Sequence, residues 1–258
     1  MTAVFLHGVP ETSVIWNGVR EQLEGDGMPT VAVDLPGFGA PKPAGFGASK
    51  DEYSQWLAET LRGIDGPIDV VGHDWGAGLV LRAVTAFDVP VRSWAVDCAS
   101  VMHRDNVWHD MAQVWRTPGS GEEWIAAFVA AEGGAGGRPG EPGWLKSALL
   151  ASCPTPADAR QIDASIDEVM GECILALYRS ATPNIFGDWG AEMSRPAAIP
   201  GLVLRATADN SDDPARSAEM AAGLGARTAE LEGLNHWWMM EDPAATVTAL
   251  RAFWASLP

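Results

Sequence analysis

Cysteine, tyrosine and positive charge are all scarce in this chain of 258 residues. Its three cysteines, Cys98, Cys153 and Cys173, are too few and too scattered for a disulfide framework or a metal site. They read as reduced thiols, which suits a cytoplasmic protein. Seventeen Lys and Arg residues face 34 Asp and Glu, and the net charge of −17 repels nucleic acid and anionic membrane surfaces. Small neutral organic substrates fit that field better than polyanions. No apolar run reaches the roughly 18 residues that a membrane span needs, so no membrane partner is expected. A charged leader followed by a long apolar segment is also missing, so the expectation is no secretion signal. There is no internal repeat, and the one biased tract is the Gly/Pro-rich stretch at 133–143.

What is present is ordinary for a globular enzyme. Hydrophobic residues make up 47% and charged residues 20%, enough apolar material for one large α/β domain carrying an insertion. Short apolar runs at 3–6, 30–33, 68–72 and 91–98 read as strands. Helical spacing separates them at 16–23, 51–64 and 77–87, with Tyr53, Trp56, Leu57 and Leu61 on one face of the second helix. Strands alternating with helices predict a mostly parallel sheet with helices on both faces. From 102 to 189 no strand is predicted, only helices at 108–115, 122–131 and 156–178. Strands resume at 201–205 and 228–231, and a helix at 243–254 closes the chain. The expected division is a core of 1–101 and 190–258 with a helical cap at 102–189.

The segment that carries chemistry is Gly72-His73-Asp74-Trp75-Gly76. An apolar strand enters it and a helix leaves it, the context of a nucleophile elbow. The central residue of such a turn is strained, so its near neighbours must be small. The helix amino terminus favours a negative charge at that point. Here the central residue is Asp74. A carboxylate gains nothing by attacking an ester or amide, since the product is an anhydride. Toward an sp³ carbon bearing a leaving group it is competent, and the product is a covalent ester. The competing role for Asp74 is a plain helix cap.

Two partners follow in the order nucleophile, acid, histidine. Asp209 follows the strand at 201–205, with Asp212 and Asp213 as rival acids, and His236 follows the last strand. A solvated surface histidine is the alternative for His236. The loop His7-Gly8-Val9-Pro10 follows the first strand, and the backbone N–H groups of Val9 and Trp75 can converge as an oxyanion hole. Pro10 lacks an N–H and fixes that loop, a cis peptide being one option.

These stretches, with Asp34-Leu35-Pro36-Gly37-Phe38-Gly39 and Asn235-His236-Trp237, resemble the epoxide hydrolase and haloalkane dehalogenase branch of the α/β-hydrolase superfamily. The resemblance covers nearly the whole chain. It implies an α/β-hydrolase fold with an inserted helical cap, and an aspartate nucleophile. In epoxide hydrolases cap tyrosines donate to the epoxide oxygen, and Tyr178 resembles the second of them. The only other tyrosine, Tyr53, lies outside the cap, so Trp108 or His109 is the candidate second donor. In dehalogenases the tryptophan after the nucleophile holds the halide, a role for Trp75 with a cap tryptophan beside it. Helix packing is the plainer role for Tyr178 and for Trp108, Trp115, Trp124 and Trp144. Family members usually have two strands before the His-Gly loop. Here that strand starts almost at Met1, so about six strands and an exposed edge are expected, an edge that a second copy could cover in a homodimer.

The sequence thus predicts a hydrolase with Asp74, His236 and Asp209 catalytic, Val9 and Trp75 as the oxyanion hole, and Tyr178, Trp108 and His109 on the substrate. No metal and no organic cofactor is called for. Epoxide opening leads, halide displacement is the alternative, and a non-catalytic ligand-binding member of the fold is the second alternative.

Overall fold

In a computed structural model, which describes residues 1–134, 136–193, 195 and 197–257, the predicted rhythm appears as β1 (Thr2–Leu6), α1 (Asn17–Gly25), β2 (Thr30–Val33), α2 (Lys50–Arg62), β3 (Ile68–Gly72), α3 (Trp75–Ala86) and β4 (Val91–Val96). Six helices follow without a strand among the described residues. They are α4 (Asp110–Arg116), α5 (Ser120–Ala130), α6 (Pro142–Ser152), α7 (Pro156–Ser165), α8 (Glu168–Ser180) and α9 (Phe186–Met193). The alternation returns with β5 (Gly201–Ala206), α10 (Pro214–Leu224) and β6 (Arg227–Leu231), then α11 (Trp238–Glu241) and α12 (Pro243–Ala255). Twelve helices surround one six-stranded sheet among the described residues.

The sheet order is β2-β1-β3-β4-β5-β6, and every pair is parallel. β3 is buried along its whole length and β1 along all but its first residue, as strands covered on both faces must be. β2 is an edge, and Val31 on it is 36% exposed. From β1 the chain steps outward to β2, then crosses back to lay β3 on the other side of β1. That reversal opens a crevice at the carboxyl ends of β1 and β3, where ligands of open α/β sheets bind. Leu6 pairs with Gly72, so the loops leaving β1 and β3 start side by side.

The core holds large aromatics on both faces of the sheet. Phe5, Trp16 and Trp238 stack in sequence, with centroids 5.0 and 5.6 Å apart. Asp69 is buried within β3, where Arg92 meets its two oxygens at 2.9 and 2.7 Å and Ser93 also donates to it. A buried carboxylate is tolerable only when paired this fully.

Several boundaries differ from expectation, each for a local reason. The helix predicted at 156–178 breaks in two at Ile166-Asp167, because the Asp167 side chain caps α8 by accepting from the Met170 N–H at 2.8 Å. α6 begins at Pro142, inside the glycine-rich stretch, since proline suits the first turn of a helix. α6, α9, α10 and the short α11 had no counterpart among the helices assigned from the sequence. β4 ends at Val96 rather than 98, which frees Asp97 and Cys98 from the ladder, and Cys98 takes φ +45°. Among the described residues no helix is long and apolar enough to cross a membrane.

Candidate active site

Asp74 stands between β3 and α3 at φ +50°, ψ −119°, a conformation that costs a side-chain-bearing residue of order 1–3 kcal/mol. The surrounding chain enforces it. A Cβ on Gly72 would lie 2.5 Å from the Gly76 carbonyl oxygen, and one on Gly76 would lie 2.5 Å from that of His7, so neither position accepts a larger residue. The Asp74 side chain forms no cap on α3, which removes the plain structural role for it. Instead its Oδ1 accepts the Val9 N–H at 3.0 Å, and the Trp75 N–H also bonds the carboxylate. Val9-Pro10 is a cis peptide. Burial lifts the Asp74 carboxyl to a pKa of about 6, against the pull of the His236 and His73 charges and the Trp75 N–H.

Asp209 and His236, 27 residues apart, meet at 2.8 Å between Oδ2 and Nδ1. The Ser211 N–H holds the other Asp209 oxygen at 2.7 Å. Burial would raise the Asp209 pKa, but the hydrogen bond and charge of His236 bring it well below the carboxylate range. The rival acids are engaged elsewhere. Asp212 accepts from the Ser217 hydroxyl at 2.5 Å and the Ser100 N–H at 3.2 Å, and Asp213 caps α10 through the N–H groups of Ala215 and Arg216. With Asp209 taking the Nδ1 proton, the His236 Nε2 lone pair is free to act as a base. Burial and the neighbouring His73 push the His236 pKa down, but Asp209 and Asp74 outweigh them and leave it raised.

Beneath the elbow lies a second ionic group that sequence reasoning did not pick out. The His73 ring is fully buried, with Nδ1 2.5 Å from Asp97 Oδ2 and Nε2 3.3 Å from Glu11 Oε1. The two acids overcome burial and raise its pKa well above the usual value, which favours the imidazolium form of His73. Burial would raise the Glu11 pKa, but the His73 charge wins and holds it at about 2. Indole N–H groups complete the set, Trp237 on Glu11 at 2.6 Å and Trp238 on Asp97 at 2.5 Å. Asp97 Oδ1 accepts the Asp74 backbone N–H at 3.0 Å, and Glu11 accepts the Gly8 N–H at 3.0 Å. Both loops that flank the nucleophile are thus tied to one charged cluster. His73 sits inside the elbow motif quoted above and Glu11 directly follows the His7-Gly8-Val9-Pro10 loop, and their burial was the missing signal.

A cavity of about 570 Å³ opens over Asp74 and His236. Its walls are mainly aromatic and aliphatic, with Trp75, Trp108, Trp115 and Tyr178 from both sides, and no Lys or Arg among the described lining residues. The Tyr178 ring is 2% exposed and packs edge-on against Trp75, Trp108 and Trp115 at 5.2, 5.2 and 4.8 Å between centroids. Burial and the Asp74 charge push its phenol far above the usual range, so it stays protonated. The Trp108 N–H is spent on the Ala181 carbonyl at 3.1 Å, so Trp108 offers the cavity a ring face and no donor, a correction to its expected role. Two other indoles, Trp75 and Trp115, keep buried N–H groups with no acceptor. The Trp75 N–H acts on the Tyr178 phenol and opposes part of the rise in its pKa. His109 caps α4, its Nδ1 accepting the Ala112 N–H at 3.2 Å, which puts the ring proton on Nε2. Burial lowers its pKa to about 4, so it too is a neutral donor at the cavity wall.

The family model described as "Alpha/beta hydrolase family" matches residues 3–249. This chain belongs to the alpha/beta hydrolase family. Among solved structures, this hydrolase-fold chain is similar to haloalkane dehalogenase DbeA from Bradyrhizobium elkani, with 20% identity, TM-score 0.72, and 99% of this chain and 90% of that one covered. It is also similar to a thermophilic esterase from Thermogutta terrifontis, with 18% identity, TM-score 0.70 and coverage of 100% and 90%. E-2-(acetamidomethylene)succinate hydrolase is a third, at 18% identity, TM-score 0.67 and coverage of 99% and 91%. At these identities the likeness is one of fold. No curated protein matches the chain.

Proposed function

We propose that this member of the alpha/beta hydrolase family hydrolyses a neutral, largely apolar epoxide to a vicinal diol through a covalent ester on Asp74. The observation that carries the proposal is the division of labour within the Asp74 carboxylate. Oδ1 is held by the Val9 N–H and becomes the carbonyl oxygen of the ester, so Oδ2 is the attacking atom. Oδ2 bonds the less hindered epoxide carbon while the C–O bond breaks, and the Tyr178 hydroxyl gives its proton to the departing alkoxide. His236 Nε2 then takes a proton from water. The hydroxide attacks the ester carbonyl, Val9 and Trp75 N–H groups hold the oxyanion, and its collapse expels the diol alkoxide, which takes the proton of the newly formed Asp74 carboxylic acid and leaves Asp74 as carboxylate. The His236 proton returns to the tyrosinate through solvent, so one epoxide and one water give one diol. The helices between β4 and β5 serve as the cap, and residues 102–189 are its proposed extent. That none of the described residues of the cavity wall is Lys or Arg supports a neutral substrate, since a carboxylate there would face Asp74 without a counter-ion.

A second reading rests on the two buried, unpartnered indole N–H groups of Trp75 and Trp115. Such donors suit a halide, which needs no proton, and dehalogenases are among the structures this chain is similar to. A substrate panel read with a pH indicator separates the two, because haloalkane turnover releases acid and epoxide turnover does not. A binding-only member of the fold turns over neither. Tyr178→Phe is expected to slow epoxide opening by roughly 10²-fold and to leave halide displacement near wild type. Equal rates for both variants on an epoxide would reduce Tyr178 to a packing residue.

The Asp74 carboxyl must be ionised to attack. Because burial raises its pKa to about 6, kcat/KM is expected to fall about tenfold per pH unit below that value and to be flat just above it. A profile still flat at pH 4.5 would contradict a buried carboxylate nucleophile.

A further inference from the structure

We propose that Cys98, Asp209 and His236 form a site for a thiophilic divalent cation of the zinc or cadmium type, and that its occupancy blocks water activation. The site itself stands on geometry alone, while the consequence rests on the function proposed above. The three cysteines looked too scattered for a metal, but release of Cys98 from the end of β4 puts its thiol against the catalytic acid across 111 residues of sequence. Asp209 Oδ2 lies 3.7 Å from Cys98 Sγ and 2.8 Å from His236 Nδ1, and one ligand atom from each residue lies within 4.8 Å of the others. Tetrahedral zinc, with bonds of about 2.0–2.3 Å, places its ligand atoms about 3.3–3.6 Å apart. The sulfur–oxygen pair, at 3.7 Å, needs to close by about a tenth of an ångström, and the nitrogen–oxygen pair, at 2.8 Å, needs to open by about half an ångström.

The electrostatics favour the exchange. Cys98 lies among the acids Asp97, Asp209, Asp212 and Asp74, whose charges set up a negative field at its sulfur. The same field attracts a divalent cation. A thiolate and an imidazole select zinc or cadmium over magnesium or calcium. Cys98 and His236 both line the cavity, so an ion can reach them from the substrate side. Glu11, His73 and His236 also lie within ligating distance of each other, but both His73 nitrogens already face carboxylates in a fully buried cluster.

The protons balance as follows. The thiol proton is released to solvent, and the His236 proton moves from Nδ1 to Nε2 as the metal takes Nδ1. One thiolate, one carboxylate and one neutral imidazole then neutralise the dication. His236 Nε2 now bears a hydrogen and has no lone pair with which to take a proton from water. Alkylation of Asp74 needs neither residue and continues, so the metal-loaded enzyme is expected to stop at the ester.

The test is titration of the full-length protein with cadmium chloride, followed by calorimetry and by the ultraviolet thiolate-to-cadmium charge-transfer band. One equivalent is expected to bind and give the band in wild type and in the Cys153→Ala/Cys173→Ala double variant, and Cys98→Ala is expected to lose it. A band that survives in Cys98→Ala, or vanishes in the double variant, overturns the site. So does wild-type protein that binds no cadmium, a result independent of how Cys98→Ala folds. Mass spectrometry of zinc-treated enzyme mixed with a turned-over substrate is expected to show the ester. Cadmium binding with the band but continued turnover and no ester under zinc would leave the site standing and refute the block on water activation, whereas lost turnover with no ester would leave the site standing and refute the covalent mechanism.

Discussion

Asp74→Ala is expected to abolish turnover by about four orders of magnitude or more while the protein stays folded, because the covalent step has no other owner. Turnover above about one tenth of wild type would end the nucleophile assignment. The same carboxylate should also burden the fold, and this gives a second, independent reading. Its pKa is raised from 3.8 to about 6, so the folded state holds the proton more tightly than the unfolded chain. Below pH 3.8 both states are protonated and the group is neutral in its effect. Between pH 3.8 and 6 the unfolded chain ionises first, and stability falls as pH rises. Above pH 6 the loss is complete, at about 3 kcal/mol for a shift of roughly two units. Asp74→Asn keeps the shape and removes the charge. It is therefore expected to raise Tm at pH 7 and to leave it unchanged near pH 3.5, as calorimetry at the two pH values would read. An equal gain at both would assign the effect to relief of backbone strain rather than to charge.

The charged cluster under the elbow explains how a strained, buried carboxylate is kept in place. Asp97 fixes the Asp74 backbone N–H and Glu11 fixes the Gly8 N–H, while the His73 imidazolium between them offsets part of their charge. His73 also opposes protonation of His236, whose ring centroid lies 4.6 Å away. The site thus balances two opposed demands. Asp209 and Asp74 favour the protonated form of His236, and His73 keeps that form from becoming too stable for proton return.

The sheet and the elbow were legible because they rest on local rules. Runs of four to eight residues marked all six strands, the last of them the least apolar. Gly72 and Gly76 marked a turn too tight for anything larger. Asp209 was separable from Asp212 and Asp213 only in three dimensions, since the deciding fact is which acid reaches His236. The insertion was legible as helical but not in its divisions, because the break at Ile166-Asp167 depends on a single cap. Donor assignment within the cavity was the least legible. Trp108 and Trp115 are equivalent by composition, yet one indole N–H is bound to Ala181 and the other has no acceptor. Nothing in their sequence neighbourhoods records that difference, which is set by how α4 and α8 pack.

His236→Gln is expected to stop turnover and trap the reaction halfway. Attack by Asp74 Oδ2 on carbon requires an ionised carboxylate and a leaving-group donor, and both survive the substitution. Hydrolysis of the ester requires a base for water, and in the proposed mechanism that base is Nε2 of His236, left free by the bond between Nδ1 and Asp209. Glutamine has no lone pair basic enough for that task, so the ester should accumulate to one equivalent. Intact mass after mixing with substrate reads the outcome directly. An epoxide adds its full mass, and a haloalkane adds its mass less the hydrogen halide, so one spectrum also decides between the two leaving groups. Digestion should place the adduct on the peptide that contains Asp74. If the variant binds a substrate that wild type turns over, yet gains no mass, the first step does not occur at Asp74. Direct attack by water, with Asp74 as its general base, would then replace the covalent route.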